Sequence, residues 1–132
     1  MDKTDQIKHI AGQLIGQGNL NIIDSAFSAD YVAHAGEKNH NGHLFIKQFT
    51  KQLRTAIPDI KIEKIEILSQ NDNLLTWQRR FSGTHKAAFR GIPASNKKVK
   101  WFEIVVSRFD IDKIAEEWIA SDLAFQLMLK QK

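Results

Sequence analysis

The sequence predicts an α+β fold, on three observations. Apolar residues recur at helical spacing as far as Pro58, and at a spacing of two from Asp59 onward. The helical segments come first and the strands follow, rather than alternating with them, which separates α+β from α/β. With 132 residues, 42% hydrophobic and 26% charged, the composition is that of an ordinary soluble domain able to bury a core and a cavity within it.

Ile7, Ile10, Ala11, Leu14 and Ile15 form one apolar stripe, which predicts a first helix capped by Thr4 or Asp5 and ended by Gly16 and Gly18. Leu20, Ile23 and Phe27 share a face of a second, shorter helix, after which Tyr31 to His34 reads as a short extended exit. Residues 35–43 are polar and read as a loop. A third helix runs from about Gly42 to Ala56, with Phe45, Phe49, Leu53 and Ala56 as its stripe, and Pro58 stops it.

Ile60, Ile62, Ile65 and Ile67 then mark a strand whose parity shifts near Glu63-Lys64, the sign of a bulge. Asn71-Asp72-Asn73 is turn chemistry. The next strand, Leu74 to Thr84, puts Leu75, Trp77 and Phe81 on one face, interrupted by Arg79. Residues 86–97 connect, broken by Gly91 and Pro93. Two more strands flank a turn at Asp110 to Lys113. Strict alternation puts Trp101, Glu103, Val105, Ser107 and Phe109 on one face of the first, and Ile114, Glu116, Trp118, Ala120 and Asp122 on one face of the second. The apolar tail Leu123 to Leu129 is read as a helix or a segment packed on a partner. A sheet curved around such helices makes a cone with a mouth, a shape that holds small ligands.

The chain has no cysteine, which excludes thiol chemistry and permits a reducing compartment. The N-terminus has no apolar signal core and no run approaches a membrane span, so the reading is a cytoplasmic protein that engages no membrane. The net charge is +4, and its one local cluster, Lys97, Lys98 and Lys100, reads as a solvated loop. It is too short a stripe for nucleic acid, though an anionic substrate could use it.

Asp122 is the first candidate for chemistry. Beside Trp118 in a strand, it is either a carboxylate held in an apolar pocket, able to move protons, or a cap for the tail helix. His34 and His85 stand at strand ends, where each would polarise a carbonyl or orient Asp122, or simply sit satisfied at a rim. Trp77, Trp101 and Trp118 would line a cavity for an aromatic substrate or pack the core. Glu103, Glu116, Arg79 and Arg80 form a buried polar network if they face inward and a solvated or interface surface if not. His40 and His43 are read as solvated, and their HNGH segment as no metal site.

Several segments together carry a resemblance. They are Tyr31-Val32-Ala33-His34, Ala56-Ile57-Pro58-Asp59-Ile60, Gly83-Thr84-His85, Phe89-Arg90-Gly91-Ile92-Pro93-Ala94, and Lys113 to Trp118 followed by Asp122. In this order and spacing the chain resembles the SnoaL-like polyketide cyclases, or ester cyclases, of the nuclear-transport-factor-2-like superfold. The resemblance implies that residues 1–132 are one SnoaL-like domain, a cystatin-like cone with three N-terminal helices packed in a curved antiparallel sheet. It also implies a homodimer and neither metal nor organic cofactor.

The activity implied is acid/base closure of a ring by intramolecular aldol condensation, or an isomerisation, on a small hydrophobic or aromatic carbonyl compound. By position Asp122 is then the general acid/base, and Arg108 stands where those cyclases place a histidine, available to hold an oxyanion. Since one fold hosts many activities, a non-catalytic binding module and an epoxide hydrolase resembling limonene epoxide hydrolase remain the alternatives.

Overall fold

The structure, a computed structural model, describes residues 1–131. Helix α1 (Lys3–Ala11) opens with the Asp2 carboxylate accepting from the Asp5 N–H and buries Ile7, Ile10 and Ala11. It runs into a π-helical turn, Gly12–Gly16, which buries Leu14 and Ile15. The Arg54 guanidinium donates to the carbonyls of Ile15 and Gly16, closing backbone acceptors that the end of the helix leaves open. The predicted second helix is a 3-10 turn, Leu20–Ile22, followed by α2 (Ile23–Ala26), and it ends one residue early because Phe27 is already extended.

Strand β1 (Phe27–Ala35) is far longer than the short exit expected. The polar stretch after it is not simply a loop: β2 (Lys38–Asn41) pairs antiparallel with β1. Helix α3 (His43–Ala56) follows. Its deepest residues are Ile46, Thr50, Leu53 and Ala56, while Phe45 and Phe49 of the predicted stripe are only partly buried because they face a cavity.

Strands β3 (Lys61–Asn71), β4 (Leu74–Thr84), β5 (Lys98–Asp110) and β6 (Lys113–Ser121) form the predicted meander, and α4 (Leu123–Leu129) makes the tail helical. One six-stranded sheet results, in the order β2-β1-β6-β5-β4-β3. Its β1–β6 pair is parallel, so the sheet is antiparallel except at that seam. The bulge expected near Glu63-Lys64 is present as a register shift between Ile62 and Lys64.

Two of the segments that carry the resemblance hold each other. Thr84 donates its N–H and its hydroxyl to the two Asp59 carboxylate oxygens, at 2.7 and 2.8 Å. Gly83 lets Ile57 lie against the strand: a Cβ there would stand 2.2 Å from the Ile57 Cγ2. The Ala56 carbonyl accepts from the Lys86 and Ala87 N–H groups. This knot ties the end of α3 to the end of β4, and thereby fixes α3 across the sheet.

Candidate functional site

The helices and the concave face of the sheet enclose a cavity of about 380 Å³, within the usual range for small-molecule sites. The sheet face behind it is built in rows across the paired strands. Leu75, Ser107 and Glu117 form one row; Trp77, Val105 and Ile119 the next; Arg79, Glu103 and Ser121 the third. The alternation read for β4 and β5 holds, since Trp101, Glu103, Val105, Ser107 and Phe109 are all buried on one face.

The alternation read for β6 does not hold beyond its start. Phe109 pairs with Ile114 and Arg108 with Glu116, leaving Ala115 as an extra residue. A bulge of one residue sends every later side chain to the opposite face. Glu117, Ile119 and Ser121 therefore line the cavity, and Glu116 and Trp118 face outward.

Glu117 is the chemical centre of the cavity. It is 6% exposed. Its Oε1 accepts from the Tyr31 hydroxyl at 2.7 Å and its Oε2 from the Ser107 hydroxyl at 2.5 Å. Ser107 is oriented in turn by the Trp77 indole N–H at 2.9 Å. Burial pushes the Glu117 pKa up, outweighing the Ser107 bond, the Arg79 charge and the Tyr31 bond, which pull it down. The Tyr31 pKa is pushed well up, first by burial and then by the Glu117 charge, so its hydroxyl stays a donor. Beside them Arg79 is neutralised by Glu103, with Nη2 and Nε 2.6 and 2.7 Å from Oε1. The rest of the lining is largely apolar, with Ile7, Ile10, Phe27, Ile46 and Phe49 among it.

Of the residues singled out in the sequence, Trp77, Arg79 and Glu103 line this cavity. Asp122 does not: it sits at the N-cap position of α4, its Oδ1 accepting from the Phe102 N–H at 2.9 Å and its Oδ2 from the Gln126 side chain at 3.1 Å. Trp118 is 39% exposed on the outer face and stacks on His34. His34 bonds Glu116 at 2.6 Å and Asn39 at 2.6 Å, and Arg108 bonds the other Glu116 oxygen at 3.0 Å. His34, Arg108, Glu116 and Trp118 thus form an outer cluster away from the cavity lining: the bulge turns Glu116 and Trp118 outward, and Arg108 alternates away from Ser107 and Phe109 on β5.

His85 is fully buried at the end of β4 and Trp101 is stacked on Phe81, neither of them in the cavity lining. Neither His85 ring nitrogen has a well-formed hydrogen bond, and burial pushes its pKa down, with the Ala87 backbone opposing. His43, read as solvated, is half-buried and bonds the Asp24 carboxylate and the Ser28 carbonyl. No three metal-ligating side chains converge among the described residues.

Sequence reasoning missed Glu117 and Tyr31 as site residues. Glu117 was within sight, one position from the residue chosen, but Trp118 was taken to mark the inner face. Tyr31 is the only tyrosine of the chain and lies in one of the segments carrying the resemblance, so it was the signal that went unused.

Solved structures share the architecture across nearly the whole chain. IdmH of Streptomyces antibioticus is 22% identical over 98% of both chains, with a TM-score of 0.77. A SnoaL-like polyketide cyclase from Agrobacterium tumefaciens is 21% identical over 98% of this chain and 99% of that one, also with a TM-score of 0.77. TsrD of Streptomyces laurentii is 16% identical over 96% and 97%, with a TM-score of 0.78. At such identities these likenesses establish the fold. No curated protein is similar in sequence at a significant level. The family model of the SnoaL-like polyketide cyclases matches residues 7–128, from the first buried residue of α1 to the last turn of α4. The cone, its cavity and this match over almost the full length lead to one conclusion: the chain belongs to the SnoaL-like polyketide cyclase family.

Proposed function

We propose that the protein is a cyclase or isomerase that moves a proton on a small hydrophobic carbonyl compound, with Glu117 as the acid/base. The observation that carries this reading is a carboxylate inside an apolar cavity, bracketed by two hydroxyl donors and shifted toward its neutral form by burial. A base of this kind suits a proton on a carbon between two carbonyls, which is already fairly acidic.

In the ring-closing version, Glu117 takes that proton and the electrons of the C–H bond form the enolate. The enolate carbon attacks a second carbonyl of the same molecule, and the proton on Glu117 passes to the new alkoxide. Tyr31 and Ser107 hold the carboxylate in place and stabilise its charge while the proton is away. Assigning the proton transfer to Glu117 replaces the expectation for Asp122, which stands at the N-cap position of α4 and outside the cavity lining. An epoxide-opening reading has one observation in its favour, the Arg79–Glu103 pair in the cavity wall, but both of its charges are already spent on each other.

The test is exchange of the α-proton of a bicyclic 1,3-diketone, such as 2-acetyl-1-tetralone, in deuterated water, followed by NMR. The wild-type protein accelerates exchange, Glu117→Gln lowers the acceleration by roughly 10²-fold or more, and Asp122→Asn leaves it within a few-fold. Wild-type exchange in Glu117→Gln would remove Glu117 from the role. Binding of the diketone without any exchange would make the protein a binding module.

A further inference from the structure

The most exposed of the lining residues are Gly36, Arg90, Ser121 and Ala124. The cavity therefore opens where the β1–β2 turn, the 86–97 connection and the start of α4 meet. Among the described residues Arg90 is the one charged group of that rim. Its guanidinium carbon lies 5.2 Å from the Phe49 ring centroid and 5.6 Å from that of Phe89, and both rings belong to the lining. Among the described residues no carboxylate forms an ion pair with it. Arg79, the other cation of the cavity, is neutralised by Glu103 at 2.6 Å.

The backbone holds Arg90 in place. Phe89 and Ile92 exchange both hydrogen bonds, at 3.0 and 2.9 Å, around Arg90 and Gly91, whose φ angles are +48° and +83°. A two-residue turn with both central residues at positive φ is normally given to Asn, Asp or Gly. A long cationic side chain at its first central position sits in a backbone region that side chains other than Asn, Asp and Gly rarely adopt.

We propose that Arg90 is an anion-recognition residue at the rim, and that the ligand is an amphipathic carboxylate. Its apolar body enters the cavity and its carboxylate stays at the mouth on the guanidinium. The charges fix that direction. A carboxylate carried inward would meet Glu103 and Glu117, whereas at the rim it meets an uncommitted cation. The guanidinium carbon stands over both aromatic rings, and its fork of N–H donors matches the two oxygens of a carboxylate. One guanidinium matches one carboxylate. A phosphate dianion would find no second uncommitted cation in the lining. The inference rests on the proposed ligand site and adds the charge and orientation of what enters it.

The experiment is isothermal titration calorimetry with 2-naphthylacetic acid and its amide, which share shape and differ in charge. The expected result is tighter binding of the acid than of the amide to the wild-type protein. Arg90→Gln then weakens the acid roughly tenfold, the size of one charge-assisted contact, and leaves the amide within twofold. Arg80→Gln, which removes an exposed charge from over the Phe102 ring, leaves both unchanged and controls for net charge. Equal affinities for acid and amide, or an equal loss of both in Arg90→Gln, overturns the assignment of Arg90 while the cavity remains a ligand site. Binding of neither compound overturns both.

Discussion

Replacing Tyr31 by Phe should cost more stability above the folded-state pKa of Glu117 than below the ordinary carboxyl range. The substitution removes one hydroxyl and little else, and that hydroxyl donates to Glu117 at 2.7 Å in a buried setting. The Glu117 pKa is raised by burial. A carboxyl with a raised folded-state pKa contributes stability that is complete below its unfolded pKa and is lost as pH rises through the folded one. Below the ordinary carboxyl range Glu117 is neutral, and the lost bond is worth about 0.5–1.5 kcal/mol; once the pH passes its folded-state pKa the acceptor is charged, and the loss is about 1.5–3 kcal/mol. The cost of Tyr31→Phe should therefore grow by roughly 1 kcal/mol between the two conditions. Tyr31 itself does not titrate in this range, because its own pKa is pushed up. Urea unfolding of both proteins at each pH, followed by tryptophan fluorescence, measures the four free energies. A cost that is equal at the two pH values, or larger in acid, would refute the account of Glu117 as a buried, titrating acceptor.

Two further outcomes follow from the charge pairs. Glu103→Ala strands the Arg79 guanidinium in the cavity wall and should cost about 3–5 kcal/mol, whereas the double change Arg79→Met with Glu103→Leu should cost far less; a denaturation cycle separates the two, and additive costs would contradict the pairing. His34 should titrate above an ordinary histidine, because its bond to Glu116, helped by Asn39, favours the charged ring. NMR titration should show this elevation, and Glu116→Gln should reduce it. The stability His34 gains is present in acid and fades as pH rises through its folded pKa, and Glu116→Gln should remove under about 1 kcal/mol of it at this solvated site.

Much of the architecture was legible in local pattern. The period-two runs gave β4 its observed limits, Leu74–Thr84, and put Trp77 and Glu103 on the inner face. The segments carrying the resemblance proved to be largely structural: Gly83 admits Ile57, and Asp59 clamps Thr84. What failed was parity on β6. An alternation rule counts residues, and a bulge adds one without changing composition, so nothing between Ile114 and Trp118 betrays Ala115. The turned face exchanged Trp118 for Glu117 in the wall; the expectation for Asp122 had rested on the same count together with the resemblance, and that for Arg108 on the resemblance.

The sequence by itself determined the succession of helices and strands, the inward face of β4 and β5, and the family, because these depend on side-chain period and on segments close in the chain. Tertiary structure alone decided which carboxylate of β6 enters the cavity. That choice depends on how β6 registers against β5 and on its parallel seam with β1, which brings Tyr31, 86 residues away, to the Glu117 carboxylate. Register is a property of two paired strands, and no single strand carries it.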